Sequence, residues 1–175
     1  MFYNFFMKLF TRYINSANNR DDNYKRADIL GFGGRSVQIA PGASVRVKPE
    51  YIGTNCFIGL YSYVNGIVRI EDNVWIGPYC SITAGHHKFD PETQWFSART
   101  NTDPNRVDDI LIGNGTWIAS GVTVTAGVTI GKCNLICANA VVTKNTKDYA
   151  IMAGTPARQV GYIDKETGEQ VWEGK

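Results

Sequence analysis

Two adjacent histidines, His86 and His87, are the only histidines in the sequence. They follow closely on a run of evenly spaced isoleucines and valines that ends at Ile82. Because neutral imidazole is available near pH 7, a histidine is suited to take a proton from an attacking hydroxyl group. A lone histidine is more often structural, so the surrounding sequence has to decide whether one of the pair is a catalytic base.

The pair stands near the start of a long interruption of this spacing, between Ile82 and Ile112. The interruption is rich in Pro, Asp, Asn, Thr and aromatic residues, which predicts a loop extruded over about residues 86–110. Long loops on a rigid scaffold often carry functional residues. We therefore expect the histidines at an edge of the scaffold, with the loop as a lid.

The scaffold is predicted from aliphatic residues that recur every six positions. They are Ile52, Ile58, Val64, Ile70, Ile76 and Ile82, then Ile112, Ile118, Val124, Ile130, Ile136 and Val142. Neither a helix nor a half-buried strand has this period. It is typical of short strands joined by tight turns, three of which close one coil of a β-solenoid. Smaller residues four positions further on are expected to share the interior: Cys56, Ser62, Val68, Val74, Cys80, Val122, Val128 and Ala140.

Composition excludes several classes of function. The 175-residue chain has a net charge of only +2, which gives no electrostatic case for nucleic-acid binding. Its four cysteines contain no CxxC pair and, with two adjacent histidines, form no recognisable zinc site, so we predict no metal and buried thiols. The N-terminus lacks signal-peptide features and no apolar stretch is long enough to cross a bilayer, so we expect a soluble, cytoplasmic protein.

The repeats resemble those of a known family. IGTNCFIGLYSY, IEDNVWIGPYCS and IGNGTWIASGVTVTAGVTIGKCNL are similar to repeats of the hexapeptide-repeat acyltransferases, with motifs nearest to the galactoside, maltose and xenobiotic O-acetyltransferases. The resemblance implies an all-β fold, a left-handed parallel β-helix over residues 36–160. It also implies a homotrimer with active sites at subunit interfaces, and acetyl-CoA as the acyl donor.

The same resemblance distinguishes the two histidines. IGPYCSITAGHH is similar to the family stretch that ends in the catalytic histidine, which falls on His87. The xenobiotic branch has a histidine, a basic residue, an apolar residue and an aspartate here, matched by His87, Lys88, Phe89 and Asp90. His86 is then a turn or acceptor-contacting residue, although a shift of one position would exchange the pair. Asp90 either orients His87 or contacts the acceptor, or it initiates a turn before the following proline.

On the acceptor side, Asn65 resembles a family asparagine that lies opposite the histidine and holds the acceptor sugar. An ordinary turn residue is the alternative for Asn65. Trp117 resembles a tryptophan packed beside the active site, and its alternative is a surface residue that supports the loop.

On the donor side, Ser120 resembles a position at the thioester end of coenzyme A, where backbone amides stabilise the oxyanion, or it is only a turn residue. MAGTPARQV is similar to the family segment that covers coenzyme A at the end of the solenoid. Arg158 in that segment is expected near the phosphates, since a guanidinium suits oxyanions. Thr143 and Lys144 match positions along the pantetheine and phosphate channel; Lys144 and Arg158 are otherwise solvated charges.

The ends of the chain are predicted to be additions to the solenoid. Residues 1–35 read as an amphipathic helix followed by a linker or irregular cap, and 161–175 as an extension with a hairpin around Thr167 and Gly168. The aromatic face of the helix is expected to pack on the solenoid or on a neighbouring subunit. Peripheral membrane contact through residues 1–14 is the less favoured alternative.

These expectations lead to a functional hypothesis. The protein is interpreted as an acetyl-CoA-dependent O-acetyltransferase that acts on a saccharide hydroxyl, such as that of a cell-surface polysaccharide or lipopolysaccharide sugar. N-acetylation of an amino or nucleotide sugar, and O-acetylation of an antibiotic, remain alternatives. A γ-type carbonic anhydrase fits poorly because its metal needs separated histidines. A non-catalytic scaffold is the last alternative.

Overall fold

A computed structural model of the chain describes residues 2–100 and 108–174, without the side chains of residues 97–100. Helix α1 spans Phe2–Asn15 and α2 spans Arg20–Ile29, with single 3-10 turns at Ser16–Asn18 and Pro49–Tyr51. The strands, in chain order, are β1 Gln38–Ile39, β2 Ser44–Arg46, β3 Phe57–Ile58, β4 Tyr63–Asn65, β5 Val68–Ile70, β6 Trp75–Ile76, β7 Ser81–Thr83, β8 His87–Asp90, β9 Trp95–Thr100, β10 Ile110–Ile112, β11 Trp117–Ile118, β12 Thr123–Val124, β13 Thr129–Ile130, β14 Leu135–Ile136, β15 Val141–Val142, β16 Ala150–Ala153, β17 Arg158–Ile163 and β18 Gln170–Trp172.

The short strands stack into three parallel sheets that form the faces of a triangular solenoid. Face A consists of β1, β3, β6, β11, β14 and β16, face B of β2, β4, β7, β12 and β15, and face C of β5, β10 and β13. The chain passes from A to B to C in each coil, so we call the corner between B and C the B–C edge and that between A and B the A–B edge. This architecture confirms the predicted β-solenoid.

The strand pairing shows where the insertion lies. Phe57 pairs with Trp75, 18 residues later, as three segments of six predict. Trp75 pairs with Trp117, 42 residues later, so 42 − 18 = 24 extra residues leave the solenoid between these two rungs. They leave after β7 and return before β10, at the B–C edge. The solenoid therefore continues in register across the insertion.

The core is the one that the six-residue period predicts. All twelve repeat aliphatics are at most 3% exposed, and the eight smaller residues predicted between them are buried as well. The buried Ser62 hydroxyl donates to the Gly77 carbonyl at 2.8 Å and accepts from the Cys80 amide at 3.0 Å. It therefore keeps its hydrogen bonds inside an otherwise apolar core.

Glycines that directly follow a repeat aliphatic, such as Gly77 after Ile76, are required because the coils approach each other closely. A Cβ on Gly77 would lie 2.9 Å from the backbone of Ala119 and Ser120 in the next coil. Gly77 has no left-handed φ, whereas Tyr79, two residues later, has a φ of 60°. The left-handed turn residue is thus Tyr79, and Gly77 leaves room for the neighbouring coil.

The cysteine prediction is correct for two of the four residues. Cys56 and Cys80 are buried, and burial raises the pKa of both thiols. Cys133 and Cys137 are half-buried instead, because they occupy turn positions between strands rather than inward positions. All four are free thiols.

The segment after α1 is neither the linker nor the irregular cap that was expected, because it contains α2. The Asn19 side chain caps this helix by accepting from the amides of Asp21 and Asp22 at 3.0 and 3.3 Å. Ala27 is fully buried against the solenoid, and the Arg26 Nε donates to the Ile39 carbonyl at 2.8 Å. Sequence periodicity did not reveal α2 because the helix is anchored by single contacts and not by an apolar stripe.

Helix α1 does not pack on its own solenoid along its length. None of its residues is buried, and its aromatic side chains are exposed. Its last turn is attached where the Tyr13 hydroxyl accepts from the Gly42 amide at 3.0 Å. No helix in residues 2–100 or 108–174 is long and apolar enough to cross a membrane.

The C-terminal extension continues face A. β16 pairs antiparallel with β17, which pairs antiparallel with β18. The turn between β17 and β18 closes where the Gly168 amide donates to the Asp164 carbonyl at 2.8 Å. This confirms the hairpin predicted around Thr167 and Gly168.

Candidate active site

The histidine pair lies where the chain leaves the solenoid at the end of β7. The Ala84 amide donates to the Asn65 carbonyl at 3.0 Å, which holds the first residue of the departing segment against β4. His86 is half-buried, and its Nε2 lies 3.8 Å from Asp108 Oδ1. Asp108 stands just before β10, where the chain returns, so this contact joins the two ends of the insertion.

His87 begins the hairpin that the insertion forms. β8 and β9 pair antiparallel, with His87 opposite Thr100 and Phe89 opposite Phe96. The two phenylalanine rings contact each other edge to face, with centroids 5.3 Å apart. His87 is exposed at the base of this hairpin. The predicted lid is therefore partly a β-hairpin; its remainder, residues 101–107, lies outside the described part of the chain.

Asp90 is used in the turn of this hairpin. Its carboxylate accepts from the Glu92 amide at 2.9 Å, and its carbonyl accepts from the Gln94 amide at 2.9 Å. The hydrogen bond from Glu92, followed by that from Thr93, lowers the pKa of Asp90. Of the roles predicted for Asp90, the structure thus supports turn initiation.

Asn65 lies one rung from the histidines. It is the last residue of β4 and the direct partner of Thr83, which ends β7. Both side chains are half-buried and point outward, since the neighbouring Val64 and Ile82 point into the core. The structure therefore brings Asn65 and the histidine pair together at the B–C edge.

Thr143 and Lys144 lie further along the same edge. They follow β15, which is two rungs from β7 because β12 lies between them. At a strand spacing of about 4.8 Å, Thr143 is about 10 Å from the rung of Thr83. Both Thr143 and Lys144 are exposed.

The segment of Arg158 closes on that last coil. The Ala157 amide donates to the Val141 carbonyl at 2.8 Å, and the Val141 amide donates to the Gly154 carbonyl at 3.0 Å. The turn before Arg158 is thus bonded to β15, the strand that leads into Thr143. Arg158 is exposed, and within the described residues it makes no ion pair.

Two predicted site residues lie elsewhere within the single chain. Trp117 is in β11 on face A, half-exposed and directly paired with Trp75. Ser120 is at the A–B edge, where its carbonyl accepts from the Asn139 amide at 2.9 Å. Face B separates both from the histidines. The expectation that Trp117 packs beside the histidines is therefore not met within one subunit, because the A, B, C order of the faces places it on a different side.

Sequence reasoning missed two residues of this region, Asp108 and Arg46. Arg46 ends β2 and is the direct partner of Asn65. It follows Val45 in the repeat as Asn65 follows Val64, and this shared position is a signal that the sequence contains. Asp108 has no such signal, since its contact with His86 depends on how the insertion closes. No group of three side chains suited to a metal ion occurs among the described residues.

Comparison with known proteins supports this assignment of the fold. The profile of the bacterial transferase hexapeptide family (six repeats) matches residues 109–144. The chain is 32% identical to the galactoside O-acetyltransferase of Escherichia coli K12, over 64% of this chain and 56% of that protein. It is 30% identical to a chloramphenicol acetyltransferase of Morganella morganii, over 61% of this chain and 67% of that protein.

A solved structure is similar over nearly the whole chain. The crystal structure of a maltose O-acetyltransferase from Clostridium difficile 630 is 26% identical, with a TM-score of 0.52, and the match covers 91% of this chain and 84% of that one. The chain spans about half to three-fifths of the length of the first curated relatives that it matches. With its repeats, its three-faced solenoid and these matches, the chain belongs to the hexapeptide-repeat acyltransferase family, whose fold is the left-handed parallel β-helix.

Proposed function

We propose that this protein is an acetyl-CoA-dependent O-acetyltransferase that acts on a hydroxyl group of a saccharide in the cytoplasm. The observation that carries the proposal is the alignment of Asn65, the histidine pair, Thr143 and Lys144 along one edge of the solenoid. Similarity to galactoside and maltose O-acetyltransferases supports a hydroxyl of a sugar as the acceptor.

The proposed reaction is a direct transfer. His87 takes the proton of the acceptor hydroxyl while that oxygen attacks the carbonyl carbon of the thioester. The tetrahedral intermediate collapses with cleavage of the C–S bond, and the imidazolium returns the proton to the departing thiolate. The products are an acetyl ester and free coenzyme A, and no acyl-enzyme is needed. Asn65 holds the acceptor in position one rung away, with His86 as a further contact.

The donor is proposed to lie on the other side of the histidines. Lys144 and Arg158 are exposed cations at the last coil that make no ion pair among the residues described. Both are therefore available to phosphate groups, and the guanidinium offers two parallel donors. Thr143 extends this surface towards the histidines.

The complete site is proposed to form between two subunits of a homotrimer. Ser120 and Trp117 lie across face B from the histidines of their own chain, so they can join a histidine only from a neighbouring subunit. The backbone amides near Ser120 would then stabilise the oxyanion of the intermediate. Binding both substrates across this boundary supplies proximity and orientation.

The test is acetyl-CoA turnover with a panel of neutral sugars, acidic sugars, sugar phosphates, nucleotide sugars and amino sugars. We expect acceptor-dependent release of free thiol and a product that alkaline hydroxylamine cleaves, as it cleaves oxygen esters. A hydroxylamine-stable product would identify an amide and overturn O-acetylation. Absence of both turnover and acetyl-CoA binding would overturn the enzyme assignment and favour a scaffold.

A hydroxylated antibiotic is the second candidate acceptor. The similarity to the Morganella morganii chloramphenicol acetyltransferase favours it, and it requires the same base and donor surface. Including chloramphenicol in the panel separates the candidates, since an antibiotic-modifying enzyme would prefer it to every saccharide by kcat/KM.

A further inference from the structure

A basic residue continues the line of site residues on the side away from the proposed donor. Arg46 at the end of β2 is the direct partner of Asn65, and Asn65 is the direct partner of Thr83. Two rungs of about 4.8 Å place Arg46 about 10 Å from Thr83 along the sheet. The order along the B–C edge is thus Arg46, Asn65, the histidines and then the donor residues.

The side chain of Arg46 is held in place but keeps its charge uncompensated. It is exposed, and its guanidinium carbon lies 5.8 Å from the centroid of the Tyr63 ring in the neighbouring strand. Among the described residues it forms no ion pair with an acid. A guanidinium packed against a ring is oriented while its N–H donors stay available for an anion.

Lys48 adds a second cation at the same edge. It follows β2 where the chain turns towards face C, and its Nζ lies 5.7 Å from the centroid of the Tyr51 ring. Arg69 on face C provides the contrast, since it also contacts the Tyr51 ring but forms an ion pair with Asp109 at 3.5 Å. Arg46 and Lys48 therefore carry the positive charge on this side.

The acidic groups nearest to the histidines do not cancel this charge. Asp108 faces His86, Asp109 faces Arg69, and the carboxylate of Asp90 accepts hydrogen bonds within its own turn. Glu50 lies in the turn after Lys48 and makes no ion pair with a residue that the structure describes, so it offsets one of the two positive charges of Arg46 and Lys48 and leaves the other. The acceptor side of the edge is thus positively charged where Arg46 stands.

We propose that the acceptor is an anionic saccharide, whose carboxylate or phosphate is bound by Arg46 with Lys48 beside it. This inference rests on the proposed acyl transfer and names the class of its substrate. The hydroxyl that is acetylated lies at the histidines, and the negative group lies two rungs away. A planar guanidinium binds a carboxylate or a phosphate with two parallel hydrogen bonds, which a lysine does not reproduce.

The test compares Arg46→Gln with Arg20→Gln. Arg20 is a matched control because it too is exposed and packed on a tyrosine ring, that of Tyr24 at 5.7 Å, but it belongs to α2. Kinetics are measured with a hexuronic acid, a hexose phosphate and the corresponding neutral hexose, each in low and high salt. The two anionic acceptors distinguish a carboxylate from a phosphate as the group recognised.

We expect wild type to prefer one anionic acceptor, with a KM that rises with ionic strength. Arg46→Gln should raise that KM by roughly 10- to 100-fold, the loss typical of hydrogen bonds to a charged group. Its KM for acetyl-CoA and for the neutral hexose should stay within about twofold of wild type, as should all values for Arg20→Gln.

Two results would overturn the inference: neutral and anionic acceptors used equally well, or equal kinetics of the two glutamine variants. Direct binding of the hexuronic acid and hexose phosphate, followed calorimetrically without acetyl-CoA, separates this inference from the proposed function. Arg46-dependent binding without any turnover would refute acyl transfer and retain the anion site. Turnover of neutral acceptors alone would retain acyl transfer and refute the anion site.

Discussion

Asn65 and Thr83 are direct partners on adjacent parallel strands, and the amide after Thr83 donates to the Asn65 carbonyl at 3.0 Å. The segment that carries the histidines therefore starts from a position fixed by the register of face B. A rigid sheet holds side chains more precisely than a loop does. The relative position of Asn65 and the histidine pair follows from this pairing.

The two histidines should differ in their effect on turnover. Replacing His87 with alanine should lower kcat by roughly 100-fold or more, the usual contribution of a general base. His86→Ala should have a smaller effect, because His86 faces Asp108 across the ends of the insertion. Steady-state kinetics of both variants with the best acceptor measure this difference. If His86→Ala were inactive and His87→Ala active, the catalytic base would be His86.

Lys144 and Arg158 should act on donor binding. Lys144→Ala and Arg158→Ala should each raise the KM for acetyl-CoA by about tenfold with little change in kcat, as loss of a charged phosphate contact predicts. Acetyl-pantetheine, which lacks the phosphates, should be used equally by wild type and both variants. Lys165→Ala, an exposed lysine in the C-terminal turn, serves as the control. If both variants kept the wild-type KM for acetyl-CoA, the phosphates of acetyl-CoA would bind elsewhere on the protein.

The stability of the solenoid should depend on its inward aliphatics. Ile118→Ala removes a fully buried side chain between stacked coils and should lower the free energy of unfolding by about 2–5 kcal/mol. Ile29→Ala makes the same chemical change at a residue that is 83% exposed and should cost far less. Urea unfolding of both variants gives the comparison. Equal losses would mean that position 118 does not lie in the core.

Asp72 should contribute to the loss of stability in acid. Hydrogen bonds from the Thr54 amide at 2.7 Å and the Thr54 hydroxyl at 3.0 Å lower its pKa in the folded state. A lowered folded-state pKa stabilises the protein above the unfolded-state value of about 3.9, and this stabilisation is lost as pH falls through the folded-state value.

Thermal melting between about pH 2 and 6 should therefore show a shallower fall of Tm for Asp72→Asn than for wild type below about pH 4. Asp21→Asn, at an exposed aspartate of α2, should leave the slope as in wild type. Identical slopes for wild type and Asp72→Asn would show that the Thr54 contacts do not persist in solution. Asp90 and Asp164 also have lowered pKa values, so Asp72→Asn should keep part of the acid sensitivity of wild type.

The six-residue period by itself determined the solenoid, its core and the place where it is interrupted. In a coil built from short strands, each residue's inward or outward direction depends on its own position in the repeat, which is local information. Val64 and Ile82 are therefore buried as predicted, and Asn65 and Thr83 point outward beside them. The motifs around the histidines were identified by their resemblance to those of the hexapeptide-repeat acyltransferases.

Which residues of successive coils become neighbours was decided only by the tertiary structure. The alignment of Arg46, Asn65 and Thr83 depends on how coils stack, and that of Thr143 depends on 24 inserted residues leaving the register intact. The placement of Ser120 and Trp117 across face B, the folding of α2 and the use of Asp90 in a turn are likewise set by contacts with other segments. Such contacts join residues far apart in the chain, and no local spacing specifies them.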